Sequence, residues 1–330
     1  MANMQLDTMD MIKTIDTLQT NRFCDAVRTR CRVALTAIVA TLIGIASPAY
    51  SQQFSATISP PELNGSNGFV LRGGDSHITI SDAGDLNGDG VDDIIIGTPD
   101  ARVNGVFSVG RTYVVFGGEG VGSEGVFDLT ALDGSNGFLI NGLTRKNRFG
   151  TSVSNAGDIN GDGLDDVIIG APSGASIAGQ SYVIFGRPGI ASSGSLDLLS
   201  LDGGNGFVIN GLDQGDRSGF WVSRAGDVNG DSIDDVIIGS NVNGPSAVAK
   251  AYVVYGDASI GSSGFFDLEI LDGANGFLIQ SGRRFFSNAG NRVSAVGDVN
   301  ADGVDDILVF RSTDGAYLIF GGADVGGIVS

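Results

Sequence analysis

Residues that cross-link, kink or catalyse are scarce in this chain of 330 residues. It contains two Cys, one His, one Trp and seven Pro. Both cysteines, Cys24 and Cys31, precede an apolar run near the N-terminus, so a chain cleaved after that run would contain no disulfide. The remainder would keep His77 but no thiol, so few residues that usually carry out nucleophilic catalysis would be left. Pairs of Asp stay open as acid–base candidates because acidic residues are numerous.

Positive charge is scarce as well. Only 19 Lys and Arg stand against 38 Asp and Glu, which gives a formal net charge of −19. A surface of this sign repels nucleic-acid phosphates and anionic membranes. We therefore expect no nucleic-acid partner. Glycine is abundant at 53 residues, which indicates many tight turns.

The N-terminal residues 1–51 have the pattern of an export signal. Three arginines between positions 28 and 32 precede an apolar run at 33–45, and small residues follow as far as Ser51. This order is typical of a secretory signal peptide. The alternative is a membrane anchor, but 13 apolar residues fall short of the roughly 20 that span a bilayer. We expect a secreted domain at 52–330, extracellular or periplasmic, with no membrane span after cleavage.

A nine-residue acidic loop occurs four times, at intervals of 73, 69 and 71 residues. Each copy has side-chain oxygens at positions 1, 3, 5 and 9, and three copies have Gly at position 6, where a sharp turn needs a positive φ. Ca²⁺ takes six to eight oxygen ligands. Carboxylates packed this closely repel one another unless a cation lies between them. The pattern therefore predicts a calcium site in each loop, and the copies begin at Asp85, Asp158, Asp227 and Asp298.

An EF-hand loop begins with a similar residue pattern, but the four acidic loops do not match the rest of it. That loop needs a Glu at position 12 and a helix on each side. Here position 12 is aliphatic, and the flanks are short β-branched runs typical of buried strands. A calcium-binding β-helix is also unsupported, since no tandem nine-residue glycine repeat occurs. The position-12 residues are Ile96, Ile169, Ile238 and Val309.

Each repeat contains four strand-like segments with turn signals between them. In the second repeat they lie at 148–157, 167–172, 181–186 and, after a short connection at 196–199, 205–211. No helical periodicity interrupts them. The sequence therefore predicts an all-β fold, a β-propeller in which each repeat forms one four-stranded antiparallel blade.

The two ends of the repeat region complement each other. Residues 54–72 match 127–142, which form the fourth strand of a blade, and the last repeat stops at 320–322, before its own fourth strand. We expect the N-terminal strand to close the last blade, which gives four blades and removes two open edges. The alternative is a piece of a larger ring that associates with another copy.

These repeats resemble the FG-GAP repeat family, found in the head of integrin α subunits and in bacterial secreted proteins. The landmarks are intact in the second repeat, as Phe149-Gly150 and 170–172, and looser at 97–99, 239–241 and 309–311. The acidic loop is better kept than the landmarks. The resemblance extends over about residues 54–330.

The resemblance implies Ca²⁺ in the hairpin loop between the first two strands of each blade, up to four ions per chain. Ser232 replaces the position-6 Gly in the third loop and Ala301 replaces the position-4 Gly in the fourth. These two sites are expected to bind more weakly, and the alternative is that one of them is empty. Four position-8 aspartates fall outside the implied ligands, and we expect them to support the ligands or face solvent: Asp92, Asp165, Asp234 and Asp305. The implied ligands are Asp85, Asn87, Asp89, Val91 (carbonyl) and Asp93; Asp158, Asn160, Asp162, Leu164 (carbonyl) and Asp166; Asp227, Asn229, Asp231, Ile233 (carbonyl) and Asp235; and Asp298, Asn300, Asp302, Val304 (carbonyl) and Asp306.

The expected function is recognition or cell adhesion without catalysis. Family members mostly use the propeller to display a surface to protein or glycan partners, and calcium in a blade hairpin is expected to be structural. One alternative is a calcium-dependent extracellular enzyme, such as a polysaccharide lyase or a hydrolase. Another is a structural module of a larger envelope assembly. The lone Trp221 is expected to pack between blades, and His77 to lie at the surface.

Overall fold

Short β-branched segments between Gly- and Asp-rich turns form the strands of this fold. A computed structural model describes residues 59–74, 77–173, 178–242, 248, 250–280, 289–311, 315–322 and 325, so the predicted signal at 1–51 lies outside the described part. The strands are β1 Val70–Arg72, β2 Thr79–Gly84, β3 Asp93–Thr98, β4 Arg111–Val115, β5 Val126–Asp128, β6 Gly137–Asn141, β7 Ser152–Gly157, β8 Asp166–Ala171, β9 Gln180–Ile184, β10 Ser195–Leu196, β11 Gly206–Asn210, β12 Trp221–Gly226, β13 Asp235–Gly239, β14 Asn241–Val242, β15 Lys250–Val254, β16 Phe265–Asp267, β17 Gly276–Gln280, β18 Ala289–Gly297, β19 Asp306–Arg311 and β20 Gly315–Ile319.

Each sequence repeat forms one antiparallel sheet, which confirms the all-β prediction. Sheet I has the order β2-β3-β4-β6, sheet II β7-β8-β9-β11 and sheet III β12-β13-β15-β17. Sheet IV contains β18-β19-β20, and β14 pairs with the outer side of β18. Helical structure in the described residues consists of three-residue 3₁₀ turns at Pro60–Glu62, Leu129–Ala131, Leu198–Ser200 and Leu268–Ile270. None of these helices is long and apolar enough to cross a membrane.

The second strand of each sheet forms the centre of the core. All six residues of β8 are buried, because aliphatic side chains on both of its faces meet a neighbouring sheet. One apolar cluster joins sheets I and II through Ile95, Phe138 and Tyr182, and a second joins sheets II and III. A third cluster joins sheets III and IV. The sheets therefore stack face to face in chain order.

The fourth strands gain an additional parallel partner from the following repeat. Strand β10 pairs with β6, and β16 pairs with β11, both in parallel. A 3₁₀ turn follows each of these added strands, and Asp197 caps one of them by accepting from the amide of Leu199 at 3.0 Å. The connection predicted at 196–199 thus contributes an edge strand to the preceding sheet.

Strand β1 does not close the last sheet, and this prediction is wrong for the described structure. Strand β1 pairs with β5 in parallel, with Val70 opposite Val126, as β6 pairs with β10. Among the described strands, β20 pairs with β19 alone. The equivalence of β1 to the fourth strands was correctly predicted, but its partner was not. The β1–β5 pair uses the edge of β1 that is equivalent to the β10 edge of β6, so the other edge of β1 has no partner among the described strands. A sequence match identifies the strand that β1 resembles, but it does not determine which strand lies at that other edge.

Candidate metal-binding loops

The four acidic loops occupy the same place in each sheet, between its first and second strands. The first strand ends in a register shift, as between Asp82 and Gly84 opposite β3, and then turns into the loop. Sheets II, III and IV have the same shift at the equivalent position. This bulge redirects the chain and ends the pairing where the loop begins.

Side chains at loop positions 1, 3 and 5 bind the loop's own backbone. The Asp85 carboxylate accepts from the amides of Asp89 at 2.9 Å and Gly90 at 2.7 Å. The Asn87 side chain accepts from Asp89, and Asp89 accepts from Val91, each at 2.9 Å. The other three loops repeat these bonds. The predicted ligands are thereby held close together in each loop.

The position-9 aspartates lie beneath the loops and are fully or almost fully buried. Asp166 accepts from the amide of Ile159 at 3.1 Å and from that of Gly186 at 2.8 Å. One carboxylate thus fixes the start of the loop to the end of the third strand. The equivalent residues Asp93, Asp235 and Asp306 make the same two bonds.

Burial of these carboxylates has an electrostatic consequence. It raises the pKa of Asp93 to about 7, and the pKa values of Asp166 and Asp235 to about 8. The backbone amides lower these pKa values in part, while the neighbouring carboxylates at positions 5 and 1 raise them further. A positive charge among these carboxylates would relieve the repulsion.

The donor chemistry fits an oxygen-preferring cation. Each loop offers carboxylate, side-chain amide and backbone carbonyl oxygens, the ligands that Ca²⁺ uses. No group of three or more Asp, Glu, His or Cys side chains among the described residues is arranged as a metal site. The carboxylates instead face the amides of their own loops. If a cation binds, the residues that would hold it are those at positions 1, 3, 5, 7 and 9.

The two departures from the loop pattern occupy strained positions. Ser232 has a φ of 73° and Ala301 a φ of 63°, close to the values of the glycines that they replace. For a residue with a Cβ this left-handed conformation costs about 1 kcal/mol or more. The third and fourth loops keep their geometry at that cost.

The position-8 aspartates form a link between sheets that sequence reasoning missed. The carboxylate of Asp165 accepts from the amide of Asp85 in the preceding sheet at 2.9 Å. The same bond joins sheets II and III at 3.0 Å and sheets III and IV at 3.1 Å. The sequence signals that could have found it are the doubled Asp at positions 8 and 9 and the Gly before position 1. A Cβ at Gly84 would overlap the Asp165 carboxylate.

These bonds align the four loops in one row, which we call the acidic row. Each loop touches the loop of the next sheet, so the row runs along a single edge of the stack. Arg224 contacts the row from the first strand of sheet III, with its guanidinium 2.7 Å from the carboxylate of Asp234. The row carries a dense negative charge with few cationic partners.

Two residues outside the row lie as predicted. His77 is 76% exposed in its side chain, and its Nδ1 lies 2.6 Å from the carboxylate of Asp100. Trp221 stacks edge-on with Phe220, and the guanidinium of Arg292 from sheet IV lies 4.9 Å from the Trp221 ring centroid. This tryptophan therefore packs where two sheets meet.

A buried charged cluster in sheet III was not predicted. The ammonium of Lys250 binds the carboxylates of Asp213 and of Asp216, the latter at 2.7 Å, and the hydroxyl of Tyr252 donates to Asp216 at 3.0 Å. Sheet II has the neutral residues Asn147 and Gln180 at the places of Asp216 and Lys250. Sheet II therefore has two neutral residues where sheet III has two charged ones. Because both positions differ together, we interpret the cluster in sheet III as a structural ion pair.

Comparison with known proteins agrees with this architecture. Residues 79–115 and 149–184 match the FG-GAP repeat. The two matches cover the first three strands of sheets I and II, including both acidic loops. Each match includes the bulged first strand, the acidic loop and the core strand of its sheet.

About half of the chain is also similar to curated proteins of two kinds. It is 30% identical to integrin alpha-5 of Xenopus laevis over 168 residues, which is 48% of this chain and 14% of that protein. It is 34% identical to phosphatidylinositol-glycan-specific phospholipase D of Homo sapiens over 162 residues, 47% of this chain and 17% of that protein. The corresponding phospholipase of Dictyostelium discoideum is 35% identical over 172 residues. The chain spans less than a fifth of the length of these relatives.

Proposed function

We propose that this protein is an exported, calcium-binding β-propeller that recognises protein or glycan partners and catalyses no reaction. The observation that carries the proposal is the acidic row, in which four similar loops present oxygen donors along one edge of the stacked sheets. The similarity to integrin alpha-5 and integrin alpha-4, both named for an adhesion receptor subunit, favours a recognition role.

Calcium has a structural role in this proposal. Each loop is linked to the next through a position-8 carboxylate, so an ion in one loop also fixes the junction to its neighbours. An ion that binds only the folded chain stabilises it in proportion to the logarithm of its concentration. The recognition surface would then depend on calcium through rigidity, without an ion touching the partner.

Export follows from the predicted signal at 1–51 and agrees with the chemistry of calcium loops. Weak calcium sites fill where calcium is plentiful, at dissociation constants of about 10⁻⁴–10⁻³ M in extracellular modules. A chain with strained third and fourth loops is suited to such a compartment.

A calcium-dependent enzyme is the second candidate, because phosphatidylinositol-glycan-specific phospholipase D is among the similar proteins. The buried titratable cluster around Lys250 does not support it, since its groups satisfy one another. His77 is paired with Asp100 at the surface.

A printed array of polysaccharides and secreted proteins tests the recognition role. The labelled protein is applied in 2 mM calcium or in chelator, beside the Asp85→Ala, Asp158→Ala double variant. We expect spots bound in calcium and lost in chelator and in the variant. No binding in either condition would contradict the recognition role. Release of phosphatidic acid from a phosphatidylinositol-glycan substrate would establish the enzyme instead.

A further inference from the structure

Neighbouring sheets meet through one set of contacts that recurs at each described junction. Besides the position-8 bond, there is a second bond between sheets, and it joins two backbone groups. The amide of a residue just after the third strand of one sheet donates to the carbonyl at loop position 2 of the preceding sheet. Arg187 donates to Leu86 at 2.9 Å, and the equivalent bonds to Ile159 and Val228 are 3.0 and 2.8 Å long. As a result, the position-2 side chains of these three loops are fully buried.

Sheet IV exposes one half of a further junction. Its position-2 residue, Val299, is 55% exposed. A Cβ built at Gly297 would touch nothing within 4 Å, whereas at Gly84 it would lie 2.2 Å from the Asp165 carboxylate. The amide of Asp298 lies where the amides of the other position-1 residues each bind a position-8 carboxylate. This end of the stack has the form of a junction without its second sheet.

Sheet I exposes the other half. Its position-8 residue Asp92 is exposed, while Asp165, Asp234 and Asp305 are half-buried against the sheet before them. Its position-7 residue Val91 is 44% exposed, and the equivalent Leu164 packs against Gly88 of sheet I. The two ends of the stack therefore carry complementary groups.

The outer strands are likewise complete in sheets I to III and incomplete in sheet IV. In sheets I to III an aromatic residue after the third strand packs on the Phe of the fourth strand, with ring centroids 5.8, 5.7 and 6.0 Å apart. In sheet IV the equivalent aromatic, Phe320, is 53% exposed, and β20 has no fourth strand among the described residues. The matching Asn-Gly-Phe lies before β1, where Phe69 contacts Phe127 of the neighbouring edge.

We propose that a second copy of this chain completes both ends, with β1 of one copy forming the fourth strand of sheet IV in the other. Each chain exposes both halves of the junction, so two copies can close on each other through two identical contacts. Pairing at a free strand edge would satisfy backbone groups that otherwise invite uncontrolled association.

The register of this added strand follows from the sheets that are complete. Phe138 of β6 lies opposite Val114 of β4, and Leu318 of β20 is the equivalent of Val114. Phe69 of the second copy therefore lies opposite Leu318. Strand addition would cover Leu318 and Phe320, which are the exposed counterparts of buried residues in sheets I to III.

Cross-linking of single-cysteine variants tests this contact. With Cys24 and Cys31 changed to Ser, one chain carries Phe69→Cys and the other Leu318→Cys, and residues opposed across a strand pair lie within disulfide range. We expect the mixture to form a disulfide-linked pair under oxidising conditions, and neither variant alone to do so. Absence of the pair, or a disulfide within one chain that carries both changes, overturns the proposal.

The mass in solution provides the matched control. Light scattering should give twice the mass of one chain, which is 67.4 kDa for the full 330 residues at 33.7 kDa each and proportionally less after removal of the signal. Val299→Lys should reduce the mass to that of one chain, because it places a charge in the junction. Leu199→Lys, at a 78% exposed apolar residue that takes no part in the junction contacts, should leave the mass unchanged. A single-chain mass for the unaltered protein, or an unchanged mass for Val299→Lys, contradicts the proposal.

Discussion

At the scale of single residues, the third acidic loop carries backbone strain at position 6. Ser232 adopts a φ of 73°, and its counterpart in sheet II is Gly163 with a φ of 91°. A Cβ at Gly163 would meet nothing within 4 Å, so a side chain at this place of the loop is opposed by backbone conformation and not by a clash.

The change Ser232→Gly should therefore stabilise the protein. We expect the free energy of unfolding in urea to increase by about 1 kcal/mol, because glycine adopts positive φ without the penalty of a Cβ. The reverse change in sheet II, Gly163→Ser, is the matched control and should lower the stability by a similar amount. Equal stabilities for both variants and the unaltered protein would show that the strain carries no cost.

At the scale of elements, the sequence repeat predicted the sheets well, because each strand depends on a local pattern of β-branched residues and turn residues. The second strand of sheet II was expected at 167–172 and lies at Asp166–Ala171, since its β-branched run and flanking turns fix it. The first strand is shorter than expected, because Arg148 to Thr151 form a turn before Ser152.

Contacts between elements were harder to predict. The role of Asp165 depends on a partner 80 residues away, the amide of Asp85. The doubled Asp and the Gly before position 1 are signals of a contact, but they do not show which loop supplies its other half. The partner of β1 was wrong for the same reason, since a sequence match shows equivalence between strands but not which edge they join. The ligand positions within a loop stay a prediction, because they concern an ion.

The charged cluster between Lys250 and Asp216 is the element contact that a mutation tests most directly. Lys250→Met should destabilise the protein by about 3–5 kcal/mol, because it leaves the buried carboxylate of Asp216 without its cation and with the Tyr252 hydroxyl as donor. The double change Lys250→Gln, Asp216→Asn restores the neutral residues of sheet II and should recover most of the loss. Urea unfolding of the three proteins measures it. A loss below 1 kcal/mol for the single change would show that the cluster is solvated.

At the scale of the whole molecule, the position-9 aspartates link stability, pH and calcium. Their folded pKa values, about 7 for Asp93 and about 8 for Asp166 and Asp235, lie above the ordinary value of 3.8. A pKa raised by folding contributes stability below the ordinary pKa, and this contribution is lost as pH rises through the folded pKa. The metal-free protein should therefore become less stable between pH 5 and pH 8.

Thermal unfolding in chelator and in calcium measures this dependence. We expect Tm in chelator to fall from pH 5 to pH 8, and the increase in Tm on adding calcium to be larger at pH 8, where the carboxylates are ionised. Asp166→Asn removes one of the titrating groups and should flatten the dependence in part. A Tm in chelator that rises over this range would contradict the assignment.

Calorimetric titration of the chelator-treated protein with calcium tests whether the acidic loops bind metal. We predict three to four ions per chain, with the weaker binding assigned to the loops that contain Ser232 and Ala301, and the loss of one ion in Asp158→Ala. Binding of no calcium by a protein that retains its β-sheet spectrum would contradict it, and the acidic loops would then be turns held by their own backbone amides.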